Sequence, residues 1–144
     1  MKIYDENLVL VYEGEVKNSK WNGKGKIYHK NGNVAFEGSF VDNLCEGEGK
    51  EYFLDGVLSY SGYFKNNKYS GYGKKYYTSG KIMYEGEFLE GVPNGSGKLY
   101  NYNENTIAVG KFLEGKLSGK IKVIDLEIGK ERIEYYEYGI KIEI

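Results

Sequence analysis

Residues 12–35 read YEGEVKNSKWNGKGKIYHKNGNVA and residues 36–59 read FEGSFVDNLCEGEGKEYFLDGVLS. Laid over each other, they match at an opening aromatic, at Gly in positions 3, 12, 14 and 21, at Lys in position 15 and at Tyr in position 17. The frame continues every 24 residues without a gap as far as residue 124. Position 3 is Gly14, Gly38, Gly62, Gly86 and Gly110, and position 12 is Gly23, Gly47, Gly71, Gly95 and Gly119. Position 14 is Gly25, Gly49, Gly73 and Gly97, then Ile121; position 17 is Tyr28, Tyr52, Tyr76 and Tyr100, then Ile124. Self-similarity at a fixed period of this size marks stacked supersecondary units, each leaning on its neighbours.

The 144 residues include 16 Tyr, 21 Gly and a single proline, Pro93. Aromatic residues favour strands, and recurrent Gly marks turns, bulges or close backbone approach. Each repeat therefore reads as two short strands, one from position 22 to position 6 of the next repeat and one over positions 13 to 18. Lys30-Asn31-Gly32, Leu54-Asp55-Gly56 and Thr78-Ser79-Gly80 read as the turns between them. Two turn geometries compete. A two-residue turn sets Lys at position 15 opposite Glu at position 2, whereas a three-residue turn closing on a left-handed Gly shifts that pairing by one. A shift of one flips every side chain to the other face. The bulged turn is expected, because it gathers positions 1, 5, 17 and 23, nearly all apolar, on one face. Glu13, Glu15, Glu37, Glu85, Glu87 and the paired glycines then fall on the other. The fold expected is all-β: an elongated, twisted, open antiparallel meander of tandem hairpins, with about ten strands and a length of roughly 50 Å.

The pattern YEGEF (residues 84–88), a polar turn, G-x-G, an aromatic and a turn Gly resembles the MORN (membrane occupation and recognition nexus) repeat. The resemblance covers residues 12–124, or five repeats. Residues 1–11 read as a half-repeat or cap, and residues 125–144 as irregular cap strands in the same single domain. Departures cluster late: Glu104 stands where Gly32, Gly56 and Gly80 stand, Ile121 replaces a Gly, and an extra residue near Gly129 breaks the frame. The resemblance implies a docking or dimerising segment, or a lipid-headgroup binder.

Charge and chemistry exclude several classes. Twenty basic against 21 acidic residues leave a net charge of −1, so no global field draws the chain to nucleic acid. Arg132 is the lone arginine. Cys45 is the lone cysteine, so no intrachain disulfide forms. Met1 to Glu6 carry no apolar leader core, and the expected setting is cytoplasmic. His29 and Cys45 fall at opposite edges of the expected sheet, roughly 20 Å apart at ~3.3 Å per residue, and form no dyad. There is no metal-ligand spacing, and the G-x-G motifs at Gly23, Gly47 and Gly71 precede no helix, so they are hairpin glycines rather than phosphate loops. No enzyme activity, cofactor or metal is expected.

What remains is a Lys at position 15 of every repeat (Lys26, Lys50, Lys74, Lys98, Lys122) beside the Tyr28, Tyr52, Tyr76, Tyr100 column. Either the Lys stems cover aromatic rings, or Lys and Tyr line a groove for a partner. Tyr63 and Tyr72, which break the polar pattern of positions 4 and 13, are candidate exposed aromatics. The expected function is a non-catalytic protein-interaction or scaffolding module, acting through this face or its end strands on a protein partner or a second copy. Anionic phospholipid binding is the alternative, and a small antitoxin- or immunity-type role is a third reading.

Overall fold

The computed structural model describes residues 1–143; Ile144, the last residue of the expected cap, lies outside the described residues. The described residues form thirteen strands in one antiparallel sheet whose spatial order is its sequence order. They are β1 (Lys2–Tyr4), β2 (Leu10–Lys17), β3 (Lys20–Tyr28), β4 (Val34–Val41), β5 (Leu44–Tyr52), β6 (Leu58–Lys65), β7 (Lys68–Tyr76), β8 (Ile82–Leu89), β9 (Val92–Asn101), β10 (Thr106–Leu113), β11 (Lys116–Asp125), β12 (Lys130–Glu137) and β13 (Ile140–Ile142). The open meander is as expected, with the cap strands raising ten strands to thirteen.

Two kinds of turn alternate. At one end of the hairpins, two-residue turns take both residues left-handed: Asn18-Ser19, Asp42-Asn43, Asn66-Asn67, Glu90-Gly91, Glu114-Gly115 and Tyr138-Gly139. That conformation suits strand twist, and Asn, Asp and Gly tolerate it best. From Asp42-Asn43 onward, the backbone N–H of the second turn residue reaches the preceding repeat, as in Asn43 to the Trp21 carbonyl and Gly115 to the Pro93 carbonyl. Asn43 and Asn67 also return their side-chain oxygens to the Trp21 and Cys45 N–H groups, 2.8 Å each. Gly115 has no such oxygen, and its counterpart Pro93 has no N–H to receive it.

At the other end lies the expected three-residue turn. Gly32, Gly56 and Gly80 are left-handed, and the His29 N–H donates to the Asn33 carbonyl at 2.8 Å. The faces nevertheless come out differently. Ile27 pairs with Phe36 but Tyr28 with Val34, so Ala35 has no opposite residue; Ser59 and Met83 stand unpaired in the same way. This second bulge cancels the shift made by the first. Lys26 therefore faces Glu37, and in these three repeats positions 17 and 23 lie on the face opposite positions 1 and 5, whereas Thr106, after the unbulged fourth connection, stays on the core face. The expected grouping of positions 1, 5, 17 and 23 is corrected accordingly. The core face carries positions 1, 5, 10 and 16 together with the inward side of the paired glycines.

That core has two tiers. Tyr12, Phe36, Tyr60 and Tyr84 are buried, their rings lying over the glycines of positions 3 and 14. A Cβ added to Gly49 would stand 2.5 Å from Phe36 Cζ, and one added to Gly97 2.5 Å from Tyr84 Cζ. The buried Tyr12, Tyr60 and Tyr84 hydroxyls donate to the backbone carbonyls of Glu15, Tyr63 and Glu87, so none is left unsatisfied. Trp21 stacks on Tyr12 at 4.4 Å and Tyr69 on Tyr60 at 3.8 Å. Phe40, Phe64, Phe88 and Phe112 fill the gaps edge-on. The aromatic chain ends at β11, where Ile121 and Val123 are buried instead. In the last strands, Glu134 is buried and receives Arg132 Nε at 2.8 Å, Tyr136 Oη at 2.9 Å and Lys141 Nζ at 3.1 Å. The Arg132 guanidinium, helped by Lys141 and Tyr136, holds this carboxyl down at about 2.

Two outcomes follow from this packing. Gly49→Val drives two methyl groups into the Phe36 ring and is expected to cost about 3 kcal/mol, read as a thermal melt lowered by on the order of 10 °C. Lys50→Thr, one residue away on the other face, changes the melt little. Glu134 titrates lower folded than unfolded, so its contribution is complete above about pH 4.5 and fades as pH falls toward 2. Glu134→Gln should lose on the order of 1–2 kcal/mol at pH 7 and show a flatter melt-versus-pH curve below pH 4.5.

Candidate functional site

The rings that cover the glycines do so from one side only. On the other side, Gly14, Gly25, Gly38, Gly49, Gly62, Gly73, Gly86, Gly97 and Gly110 stand opposite one another in an unbroken row across β2 to β10. At ~4.8 Å per strand the row is roughly 40 Å long. With no side chains above it, the backbone forms the floor of a groove. Two hollows of about 610 Å³ and 490 Å³ open over it, the first above Gly14 to Gly62 and the second above Gly86 to Gly110.

One wall is a cross-strand ladder running Glu13, Lys26, Glu37, Lys50, Ser61, Lys74, Glu85, Lys98. Outside it runs the tyrosine column. Tyr52 Oη donates to Glu37 at 2.6 Å and Tyr100 Oη to Glu85 at 2.8 Å. Burial first, and then the acid each one faces, pushes both phenols up to about 12. The sequence candidates Tyr28, Tyr52, Tyr76, Tyr100, Lys26, Lys50, Lys74 and Lys98 thus share one face, but it is the polar face and not the aromatic one. The core rings lie on the far side of the backbone, out of reach of these Lys stems. Among the described residues, the Lys26, Lys50, Lys74 and Lys98 ammonium groups enter no ion pair or side-chain hydrogen bond.

The opposite wall consists of positions 4 and 13. Here Glu15 and Glu87 turn inward to accept the Lys24 and Ser96 backbone N–H groups, capping the bulges at Gly23 and Gly95, both left-handed. Tyr63 and Tyr72 stand about half exposed on this wall, on neighbouring strands. Acids thin out along the groove: Val109 takes position 2, Lys111 position 4 and Lys120 position 13, all bordering the second hollow.

The aromatic face holds a group that position-by-position reading passed over. Position 16 is Ile27, Leu99 and Val123 in three repeats but Glu51 and Lys75 in the central two. This opposite-sign break in an apolar column was the available signal. Tyr69 Oη donates to Glu51, Lys75 Nζ donates to Tyr69 Oη at 3.1 Å, and Ser59 Oγ donates to Glu51 at 3.3 Å. Lys75 Nζ also lies 5.2 Å from the Tyr69 ring centre, and burial lowers its pKa against the pull of Glu51. Burial, and then Glu51, raises the Tyr69 pKa. Ser59, Glu51, Tyr69 and Lys75 are bonded in one chain of contacts, which joins two repeats. Cys45 and His29 border the same hollow without a hydrogen bond between them. The His29 ring nitrogen lies 3.0 Å from the Tyr52 carbonyl, the place Tyr77 fills with Tyr100 one period of two repeats on. Among the described residues, no cluster of His, Cys, Asp or Glu is placed to hold a metal.

A sheet of tandem hairpins carrying a long polar groove has the architecture of a repeat-built binding module. The MORN repeat model matches residues 12–34, 36–57, 60–82 and 84–106, well over half of the chain, and the chain belongs to the MORN repeat family. The match stops short of the copy that opens on Ala108 and carries Ile121. MORN repeats are protein- or membrane-binding modules and are generally non-catalytic. No curated protein matches the chain significantly.

Burial, and to a lesser extent Glu51, pushes the Cys45 thiol up to about 11. At pH 8 that leaves on the order of a hundredfold less thiolate than an ordinary cysteine. A thiol-reactive chromophore should therefore label the folded chain at least that much more slowly than the urea-unfolded chain.

Proposed function

We propose that this chain is a protein-interaction or scaffolding module whose glycine-floored groove receives a segment of a protein partner. The observation that carries this reading is the unbroken glycine row with unpaired lysines along one wall. Bare backbone lets a partner approach closely, and lysines without intramolecular partners keep their charge available to it. The two ends of the groove differ. Glu and Lys alternate over β2 to β5, whereas Lys98, Lys111 and Lys120 outweigh the acids near β9 to β11. The segment that fits best carries carboxylates at the end lying over β9 to β11 and apolar or aromatic groups to meet Tyr63 and Tyr72. A cytoplasmic setting belongs to the same proposal.

The test is a photo-crosslinking residue placed at Ser61, in the groove, with one at Thr78, in a turn, as control. Capture from native lysate at Ser61 and not at Thr78, abolished by the combined Lys50→Gln, Lys74→Gln and Lys98→Gln changes with an unaltered melt, is the expected result. Vesicles rich in anionic phospholipid supply the competing measurement. Salt-sensitive retention on vesicles, with no protein captured at Ser61, replaces the protein reading with the lipid one.

A further inference from the structure

We propose that the hollow over Cys45, on the core face, binds one small molecule with a flat, neutral bicyclic aromatic ring that carries an N–H donor. The outer tier of the core is built from position 10, which stands opposite position 5 of the same hairpin: Trp21 opposite Val16, Tyr69 opposite Phe64, Pro93 opposite Phe88. Trp21 and Tyr69 lie flat on the position-1 rings Tyr12 and Tyr60, tilted by only 3° and 7°. Between them in the sheet the same place is held by Cys45, opposite Phe40. Phe36, the position-1 ring of that repeat, meets Phe40 and Phe64 edge-on, at 5.2 Å and 5.0 Å, and among the described residues no ring is stacked on it. A thiol thus stands where the repeats on either side place an indole and a phenol. The tier lacks one ring, and a hollow of about 640 Å³ opens there, bordered by Trp21, Phe36, Cys45, Glu51, Phe64 and Lys75.

The walls define the occupant. Phe36 and Cys45, both buried, make an apolar floor, and sulfur contacts aromatic rings favourably. A flat ring above them would meet Phe40 and Phe64 edge-on, as Trp21 meets Phe40 and Tyr69 meets Phe64. The polar requirement comes from position 16. Tyr69 Oη and Ser59 Oγ both donate to Glu51 Oε1, and among the described residues Oε2 receives no hydrogen bond. An N–H on the ring would donate to it. Lys75, bonded to Tyr69 Oη at 3.1 Å, balances the charge of Glu51, so the hollow favours a neutral, electron-rich ring over an ion. Trp21 closes it on one side and Lys75 with Tyr69 on the other. Its room therefore ends after one ring along the sheet, and its volume is that of a small-molecule site rather than of a surface that receives a run of chain. The hollow lies on the face opposite the glycine row, and neither proposal depends on the other.

Indole is the probe, and 1-methylindole, which lacks the N–H, is its control. Calorimetry on the full chain should show one indole bound per chain, with amide shifts centred on Cys45 and Glu51. 1-Methylindole should bind roughly tenfold more weakly, since it leaves Glu51 Oε2 without a donor. Cys45→Trp supplies the missing ring from the chain itself and should abolish indole binding. Where Cys45→Trp loses its cooperative melt, labelling of the Cys45 thiol in the unaltered chain decides instead. Indole at about ten times its dissociation constant should slow that labelling roughly tenfold, and an unchanged rate overturns the proposal. No saturable binding at millimolar indole, equal affinity for the two probes, binding kept by a folded Cys45→Trp, or shifts centred on Ser61 and Lys98 in the groove likewise overturns it. The Lys50, Lys74, Lys98 triple variant should bind indole as the unaltered chain does, so failure of the groove reading and failure of this one are separately visible.

Discussion

One contact recurs through the molecule: an aromatic ring lying flat on a pair of glycines in adjacent strands. Tyr12 over Gly14 and Gly25, Phe36 over Gly38 and Gly49, Tyr60 over Gly62 and Gly73, and Tyr84 over Gly86 and Gly97 are four copies of it. A single sheet has no second layer against which to bury apolar surface, so its side chains must cover one another. Removing the Cβ atoms beneath each ring lets the ring drop to the backbone. Trp21 or Tyr69 can then stack above, with a phenylalanine edge-on at each side. The contact also fixes register, since a slip of one residue puts a Cβ or a charged side chain under the ring.

The groove follows from the same glycines seen from behind. Positions 3 and 14 must be Gly for the sake of the rings, and the backbone on their reverse side runs as a strip across nine strands, between the columns of positions 2 and 15 and of positions 4 and 13. The walls are free to vary because the core does not use them. They vary in a directed way: regular Glu–Lys alternation at the N-terminal end gives way to Ser61, Val109, Lys111 and Lys120 further on. Glu15 and Glu87 look like free surface charges in sequence but act as caps for bulged backbone.

The ends of the sheet obey other rules. Where the aromatic spine runs out, Ile121 and Val123 take over the core, and Glu134 with Arg132, Lys141 and Tyr136 supplies the polar closure. The two late connections, at residues 102–105 and 126–129, hold four residues each and need no compensating bulge: Thr106 pairs with Asn101 and Asp125 with Lys130. Asn105 and Gly129 supply the left-handed residue there.

Period, strand content and the open meander were all legible in the chain, because each rests on local chemistry that recurs every 24 residues. So was the sharing of one face by Lys26, Lys50, Lys74 and Lys98 with the tyrosine column, since positions 15 and 17 lie two residues apart on a strand. Which face that would be was not legible. The left-handed Gly32 announces one extra residue on its side of the hairpin, but nothing about Ala35, Ser59 or Met83 announces a second, as the three share neither size nor polarity. Only the packing of Phe36, Tyr60 and Tyr84 onto their glycines requires it, and that contact joins residues brought together by the folded sheet. The pairing of Glu51 with Lys75 was hidden for the same reason: the two stand one repeat apart in sequence and meet through Tyr69 only once the hairpins are stacked.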